Sequence, residues 1–118
     1  MSQPPNATPL RLEAFTASER HAATDAVRDA FSRVGAWILD FEQFGNLAIC
    51  LRFEVAAGNA AALGTELAAA LHLTPESTAS LAAAAAQSPP EVALPGTLNV
   101  RFLHDEPDLQ IPKPRVPG

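Results

Sequence analysis

The sequence predicts one α+β domain in which helices cover one face of a sheet. Two segments, 47–55 and 97–104, alternate apolar with polar residues, as half-buried strands do. The segment 16–34 repeats apolar residues at three- and four-residue steps, as an amphipathic helix does. The chain has 118 residues and is 47% hydrophobic, which suffices for a single core.

The predicted domain spans residues 10–104, between an irregular leader, 1–9, and a proline-rich tail, 105–118. The leader is uncharged and has no apolar stretch, so we expect no signal peptide. No window approaches the roughly 18 apolar residues that a membrane span needs. The single cysteine, Cys50, lies in an apolar run, which fits a reducing compartment. We therefore expect a soluble, cytoplasmic protein.

The first predicted strand is 10–15, and the clearest helix follows it over 16–34. We expect Thr16 and Glu19 to form a capping box at the start of this helix. Gly35 stands where a left-handed residue commonly ends a helix. A second strand is expected over 36–42, because aromatic and branched residues dominate it.

This second strand is apolar on both sides. Its larger side chains alternate with smaller ones and belong to Trp37, Leu39 and Phe41. If these larger side chains point into the core, Ile38 lies on the opposite face. A turn at 43–46 leads into the third strand, 47–55, in which we expect Leu47 and every second residue after it to point inward.

Two more helices and a strand complete the predicted domain. Asn59 is a candidate cap for a second helix, and Thr74 before Pro75 is a candidate cap for a third, shorter one. The turn at Pro95-Gly96 precedes the last strand, 97–104. The order is the βαββαβ arrangement of ferredoxin-like domains. We expect a four-stranded antiparallel sheet with helices on one face and an extra short helix before the last strand.

The segment from Val34-Gly-Ala-Trp-Ile-Leu-Asp40 through a hairpin to Asn46–Val55 resembles the middle of ACT-type regulatory domains. In that family a helix also ends at glycine and leads to an edge strand, a hairpin and a central apolar strand. ACT domains that bind amino acids carry an Asp-x-x-Gly-type turn after the first strand. Here that turn reads Phe15-Thr-Ala-Ser-Glu19, without glycine, so the resemblance implies the fold and a regulatory role rather than this ligand.

The sheet face that the helices leave bare is predicted to mix charged with small apolar residues. Seven of its residues are candidates for a ligand site or an interface: Arg11, Glu13, Cys50, Arg52, Glu54, Asn99 and Arg101. Ala48 and Leu103 are expected on the same face. This mixture suits a symmetric homodimer, or a shallow site for a small molecule or a protein. The alternative is a solvated face, which is ordinary for an antiparallel sheet.

The three arginines of this face allow two interpretations. In the first interpretation, the three side chains converge on an anion such as a carboxylate: Arg11, Arg52 and Arg101. In the second, which we favour, a surface network with Glu13 and Glu54 neutralises these arginines.

Charge and motifs argue against several function classes. A net charge of −5 disfavours nucleic acids and anionic membranes as partners. No phosphate-binding glycine loop, nucleophile elbow or Cys-x-x-Cys pair is present, so we predict no cofactor and no catalytic residue. His21 and His72 are expected at the surface. Four neighbouring groups could bind a divalent metal or form a polar strand end, and their spacing matches no metal loop: His104, Asp105, Glu106 and Asp108.

Two functions follow from the sequence. The first is a non-enzymatic regulatory or protein-interaction domain that dimerises through the bare sheet face. The alternative is a small enzyme of the ferredoxin-like dimeric barrel type, with its pocket between helices and sheet. The predicted inward residues are all apolar, which favours the first.

Overall fold

The computed structural model describes residues 9–103, which form three helices and a five-stranded sheet. In chain order the elements are β1 (Leu10–Thr16), α1 (Arg20–Arg33), β2 (Trp37–Phe44), β3 (Ala48–Ala56), α2 (Ala57–Ala70), β4 (His72–Leu73), α3 (Pro75–Gln87) and β5 (Ala93–Phe102). The strand order is β2-β3-β5-β1-β4. Most of the predicted leader, all of the predicted tail and His104 lie outside the described residues.

The sheet is mixed, which corrects the predicted four-stranded antiparallel arrangement. β5 pairs in parallel with β1 and antiparallel with β3, while β4 adds two residues antiparallel to β1. The physical reason is the short strand β4, which the sequence analysis missed. Because β4 runs against β1 and the chain reverses again through α3, β5 runs with β1 and lies between β1 and β3.

The alternation predicted for the third and last strands is confirmed. The inward side chains of β3 and β5 are buried: Ile49, Leu51, Phe53, Val55, Leu98, Val100 and Phe102. Arg52 and Arg101 are exposed. Leu47 does not join the core, because β3 begins one residue later and leaves this side chain 70% exposed.

Close packing inside the core rests on one glycine. Phe53 contacts Phe31 edge-on, with ring centroids 5.1 Å apart, and lies directly opposite Gly96 on β5. A Cβ atom at Gly96 would come within 2.5 Å of the Phe53 ring. Glycine therefore leaves the space that the aromatic ring fills.

The first part of β2 faces the other way from the orientation in which its larger side chains point inward, whereas Phe41 points inward as in that orientation. Trp37 and Leu39 are 56% and 50% exposed, whereas Ile38 and Phe41 are half-buried and pack against the core. An irregularity in the register between Ile38 and Asp40 is the cause. Such a bulge shifts the alternation by one residue, so that Phe41 is the only aromatic residue of β2 that reaches the core face.

The helix ends confirm some predicted caps and correct others. Thr74 caps α3 and accepts a hydrogen bond from the Ser77 amide at 3.2 Å. Gly35 has φ +71°, as expected after α1. Thr16 is not the cap of α1, because it pairs with Phe102 as the last residue of β1. Asn59 is not the cap of α2, which begins at Ala57; its amide donates to the Val34 carbonyl instead.

Glu19 supplies the cap of α1. Its carboxylate accepts hydrogen bonds from the amides of His21 and Ala22, at 3.0 and 3.2 Å. The bond from the His21 amide is the main reason why the pKa of this carboxyl lies below its ordinary value. The cap therefore works best when Glu19 is ionised.

No helix within residues 9–103 combines the length and the apolar character needed to cross a membrane.

Candidate functional site: the open sheet face

The open face is the sheet surface opposite the helices, and the strand register orders its side chains into four rows. The aromatic row holds Phe44, Ala48, Arg101, Phe15 and His72. The cysteine row holds Glu42, Cys50, Asn99 and Glu13. The arginine row holds Asp40, Arg52, Thr97 and Arg11. The tryptophan row holds Trp37, Glu54 and Pro95.

The structure places all seven candidate residues from the sequence on this face, in four different rows. Among the further members of these rows, three aromatic residues were missed: Trp37, Phe44 and Phe15. The bulge in β2 hid Trp37, since no sequence pattern marked it. Phe44 was missed because the predicted strand ended at residue 42, whereas β2 continues to Phe44. Phe15 follows Arg11 and Glu13 at two-residue spacing, so the alternation of β1 alone would have placed it.

Apolar surface lies at both ends of the open face. Trp37 and Phe44, near the two ends of β2, are 56% and 51% exposed. Ala48 and Cys50, on the neighbouring strand β3, are half-buried, as is Phe15 on β1, which lies beyond Arg101 in the aromatic row. Large aromatic side chains left half exposed on one sheet face are typical of a contact surface.

The arginine row places two guanidinium groups on either side of Thr97. Arg52 and Arg11 belong to the strands that flank β5, so their Cα atoms are roughly 10 Å apart. Arg52 makes one ion pair, from Nε to Asp40 Oδ2 at 3.8 Å, and both side chains are exposed. An exposed pair at this distance contributes little to stability.

The two interpretations of the arginines have different outcomes. Arg101 is four residues from Thr97 along β5, about 13 Å, so the three arginines do not converge on one point. Within residues 9–103, neither Glu13 nor Glu54 forms an ion pair with an arginine. In the described part of the chain, the carboxylate paired with Arg52 is Asp40, and neutralisation of the arginines by Glu13 and Glu54 stays a prediction.

A recess of about 250 Å³ adjoins the arginine row. Its wall contains the polar side chains Arg11, Glu13, Thr97 and Asn99, together with Pro9 and Leu12. Among the described residues, the side chains of Thr97 and Asn99 have no hydrogen-bond partner. The recess thus offers a cation, a carboxylate, a hydroxyl and an amide to one small ligand.

The helical side of the sheet is different in character. Thr16 and Ser77 are the buried polar residues of the described segment, and both bond to backbone. A larger groove, about 650 Å³, lies where α3 meets the starts of β1 and β5. Its wall is mainly apolar, formed by alanine, proline, leucine and valine side chains, and its polar members are Arg11, Ser80, Gln87 and Ser88.

Metal ligands do not cluster in residues 9–103, where no group of three histidine, cysteine or acidic side chains is brought together. His21 and His72 are exposed, as predicted. The candidate group His104, Asp105, Glu106 and Asp108 lies outside the described residues.

Comparison with protein-family models gives no match, and searches of curated proteins and of solved structures find no significantly similar chain.

Proposed function

We propose that this protein is a non-enzymatic interaction domain that forms a homodimer through its open sheet face. The observation that carries the proposal is the exposure of Trp37 and Phe44 on this face. Together with half-buried Phe15, Ala48 and Cys50, they give the face an apolar content that a purely solvated sheet does not need.

Charge favours a second copy of the same chain as the occupant. The outer strand β2 contributes Asp40 and Glu42, while the three inner strands contribute Arg52, Arg101 and Arg11 beside Glu54 and Glu13, three positive against two negative charges. A two-fold axis along the strands brings the acidic margin of one copy over the inner strands of the other. The same contacts form twice, as in any two-fold dimer.

The ACT-type resemblance supports a regulatory role for such a dimer. α1 ends before Gly35, β2 is an edge strand, and a hairpin leads to the apolar strand β3, as in that family. A regulatory domain of this kind acts by binding a partner or a small molecule rather than by catalysis.

The enzymatic alternative lacks a comparable observation. It requires polar groups in a pocket between helices and sheet, and Thr16 and Ser77, the buried polar residues of the described segment, are both engaged with backbone atoms. We therefore propose the interaction domain alone.

The test is the substitution Arg52→Glu. It adds a carboxylate beside Asp40 and Glu54 and makes the open face strongly acidic, so two copies repel each other. We expect a wild-type dimer at tens of micromolar in light scattering. The dissociation constant of the variant dimer should be about tenfold higher, which weakens the free energy of association by about 1.4 kcal/mol.

Arg33→Glu is the matched control, since it makes the same charge change at an exposed arginine on α1, where Arg33 pairs with Glu66 at 3.3 Å. This variant should dimerise like the wild type. A monomeric wild type would refute the proposed homodimer, and equal association of the two variants would show that the contact uses another surface.

A further inference from the structure

We propose that residues 5–8 of the leader extend β1 and occupy the groove where α3 meets the start of β5. The groove lies on the helical side of the sheet, so this inference goes beyond the homodimer and does not depend on it. β5 pairs with β3 from Ala93 onward, but its pairing with β1 begins only at Gly96, opposite Leu10. Residues 93–95 of β5 therefore have a partner strand on one side only within the described chain.

The leader has the position and the length to pair with this free edge. Pro9, the first described residue, already belongs to the wall of the groove. Continuing the observed parallel register back from Leu10 places Thr8 opposite Leu94. Strand residues rise about 3.3 Å each, so residues 5–8 span about 13 Å, which is enough to cover the unpaired start of β5.

The prolines of the leader fit a strand in this place. The backbone amide and carbonyl of Glu13 bond to the start of α3, so these groups point away from β5 at odd-numbered positions of β1. At even-numbered positions they point toward β5, as in the bond from the Leu103 amide to the Thr16 carbonyl. Pro5 and Pro9 are odd-numbered, so their missing amides leave no gap in the pairing with β5.

The groove wall also matches the side chains that the extended strand brings to it. Leu10 and Leu12 are buried on the helical side, so Asn6 and Thr8 face the same way by alternation. Thr8 precedes a proline, which favours extended backbone. Three polar residues of the wall make no side-chain hydrogen bond to the described residues: Ser80, Gln87 and Ser88. The amide and the hydroxyl of the leader are suitable partners for them.

The experiment measures hydrogen exchange at single backbone amides of the full chain by NMR. In the extended strand, the Thr8 amide donates to the Ala93 carbonyl, and the Ala93 amide donates to the Asn6 carbonyl. Both amides should exchange at least about tenfold more slowly than in an unfolded chain. The Ala7 amide points away from β5 and should exchange at the rate of an unfolded chain. Proton contacts between Thr8 and Leu94 should be observed within one molecule.

Two proline substitutions form a matched pair. Thr8→Pro removes the amide that bonds to β5 and should accelerate exchange at Ala93 about tenfold. Ala7→Pro introduces the same ring where no amide is needed, so it should change exchange at Ala93 by less than about twofold. The Arg52→Glu variant should keep the slow exchange of Thr8 and Ala93. Loss of the dimer is thereby distinguishable from loss of the docked leader.

Three results would overturn the inference. The first is unprotected exchange at Thr8 and Ala93 in the full chain, and the second is an equal effect of the two proline variants. The third is a contact between Thr8 and Leu94 that forms only between molecules in a mixture of differently labelled chains, since the groove then holds the leader of a second copy.

Discussion

Ser77 shows how one hydroxyl can replace part of a strand. The backbone amide of Glu13 in β1 donates to Ser77 Oγ at 2.7 Å, and the Glu13 carbonyl accepts the amide of Thr74 at 3.0 Å. These two bonds continue the edge of β1 where β4 ends after two residues. Ser77 is 2% exposed, so water does not replace its hydroxyl.

Substitution of Ser77 by alanine is expected to leave the Glu13 amide without a partner in a partly buried position. The free energy of unfolding should fall by about 1–3 kcal/mol, the usual cost of an unsatisfied buried donor. Urea denaturation followed by circular dichroism measures this change.

Ser80→Ala is the control for this experiment, because Ser80 lies on the same helix and is exposed. It should change the free energy of unfolding by no more than about 0.5 kcal/mol. Equal effects of the two substitutions would show that the Ser77 hydroxyl does not support β1.

Individual positions differ in how well the sequence predicts them. The capping role of Thr74 follows from the local pattern Thr-Pro, and the left-handed glycine at position 35 follows from the helix that it ends. The hydrogen bond between Ser77 and Glu13 joins residues 64 positions apart, and no local pattern announces it. Likewise, only the assembled sheet places Arg52 and Arg11 on both sides of Thr97.

At the scale of single elements, the start of α1 depends on an ionised side chain. Glu19 is the last residue of the connection from β1, and its carboxylate accepts hydrogen bonds from two backbone amides of the first helical turn. The carboxylate is exposed, and its pKa lies below the ordinary value of 4.5 because the folded state hydrogen-bonds the charged form. A lowered folded pKa means that Glu19 stabilises the fold above about pH 4.5 and that this contribution disappears as the pH falls through the folded pKa.

We therefore expect the variant Glu19→Gln to lose less stability than the wild type between about pH 6 and about pH 3. Thermal unfolding across this range measures the difference. Glu91→Gln is the control, since Glu91 is exposed and accepts no hydrogen bond from the described residues. Parallel pH profiles for wild type and Glu19→Gln would contradict the capping role.

The elements themselves were more predictable than their details. All three helices and the four long strands were expected, most of them from periodicity, because burial on one face leaves a regular pattern in the sequence. Residue composition predicted β2, and the Thr-Pro cap predicted α3. The strand β4 was not predicted, since two residues are too few to show alternation. The bulge in β2 was not predicted either, because apolar residues on both faces of this strand leave the alternation ambiguous.

At the scale of the whole molecule, the described chain has an apolar interior and a chemically mixed outer sheet surface. The long-range pairing of β1 with β5 holds the two ends of the domain together in register. This parallel pairing was the main error of the predicted topology, because it depends on the direction in which the chain returns after α3. Sequence patterns specify which residues are buried more directly than which strands are neighbours.

Trp37 reports on this outer surface, as it is the only tryptophan of the chain. If the open face forms the dimer contact, its fluorescence emission should move to shorter wavelength as protein concentration rises, since the indole leaves water. The Arg52→Glu variant should show no such shift over the same range. Dimers in light scattering with an unchanged emission maximum would place the contact elsewhere.

The hydroxyl and amide bonds between α3 and β1 also limit how far the sheet can grow. Beside β4, the Glu13 amide and carbonyl are already occupied, so a foreign strand finds little to pair with on that side. β2 is the long edge that remains, although its bulge and the Asp40 carboxylate, which accepts the Phe41 amide at 2.9 Å, make it a poor template. Two molecules joined along β2 would therefore have only their blocked sides left, and strand addition would stop at a pair instead of propagating into a fibre.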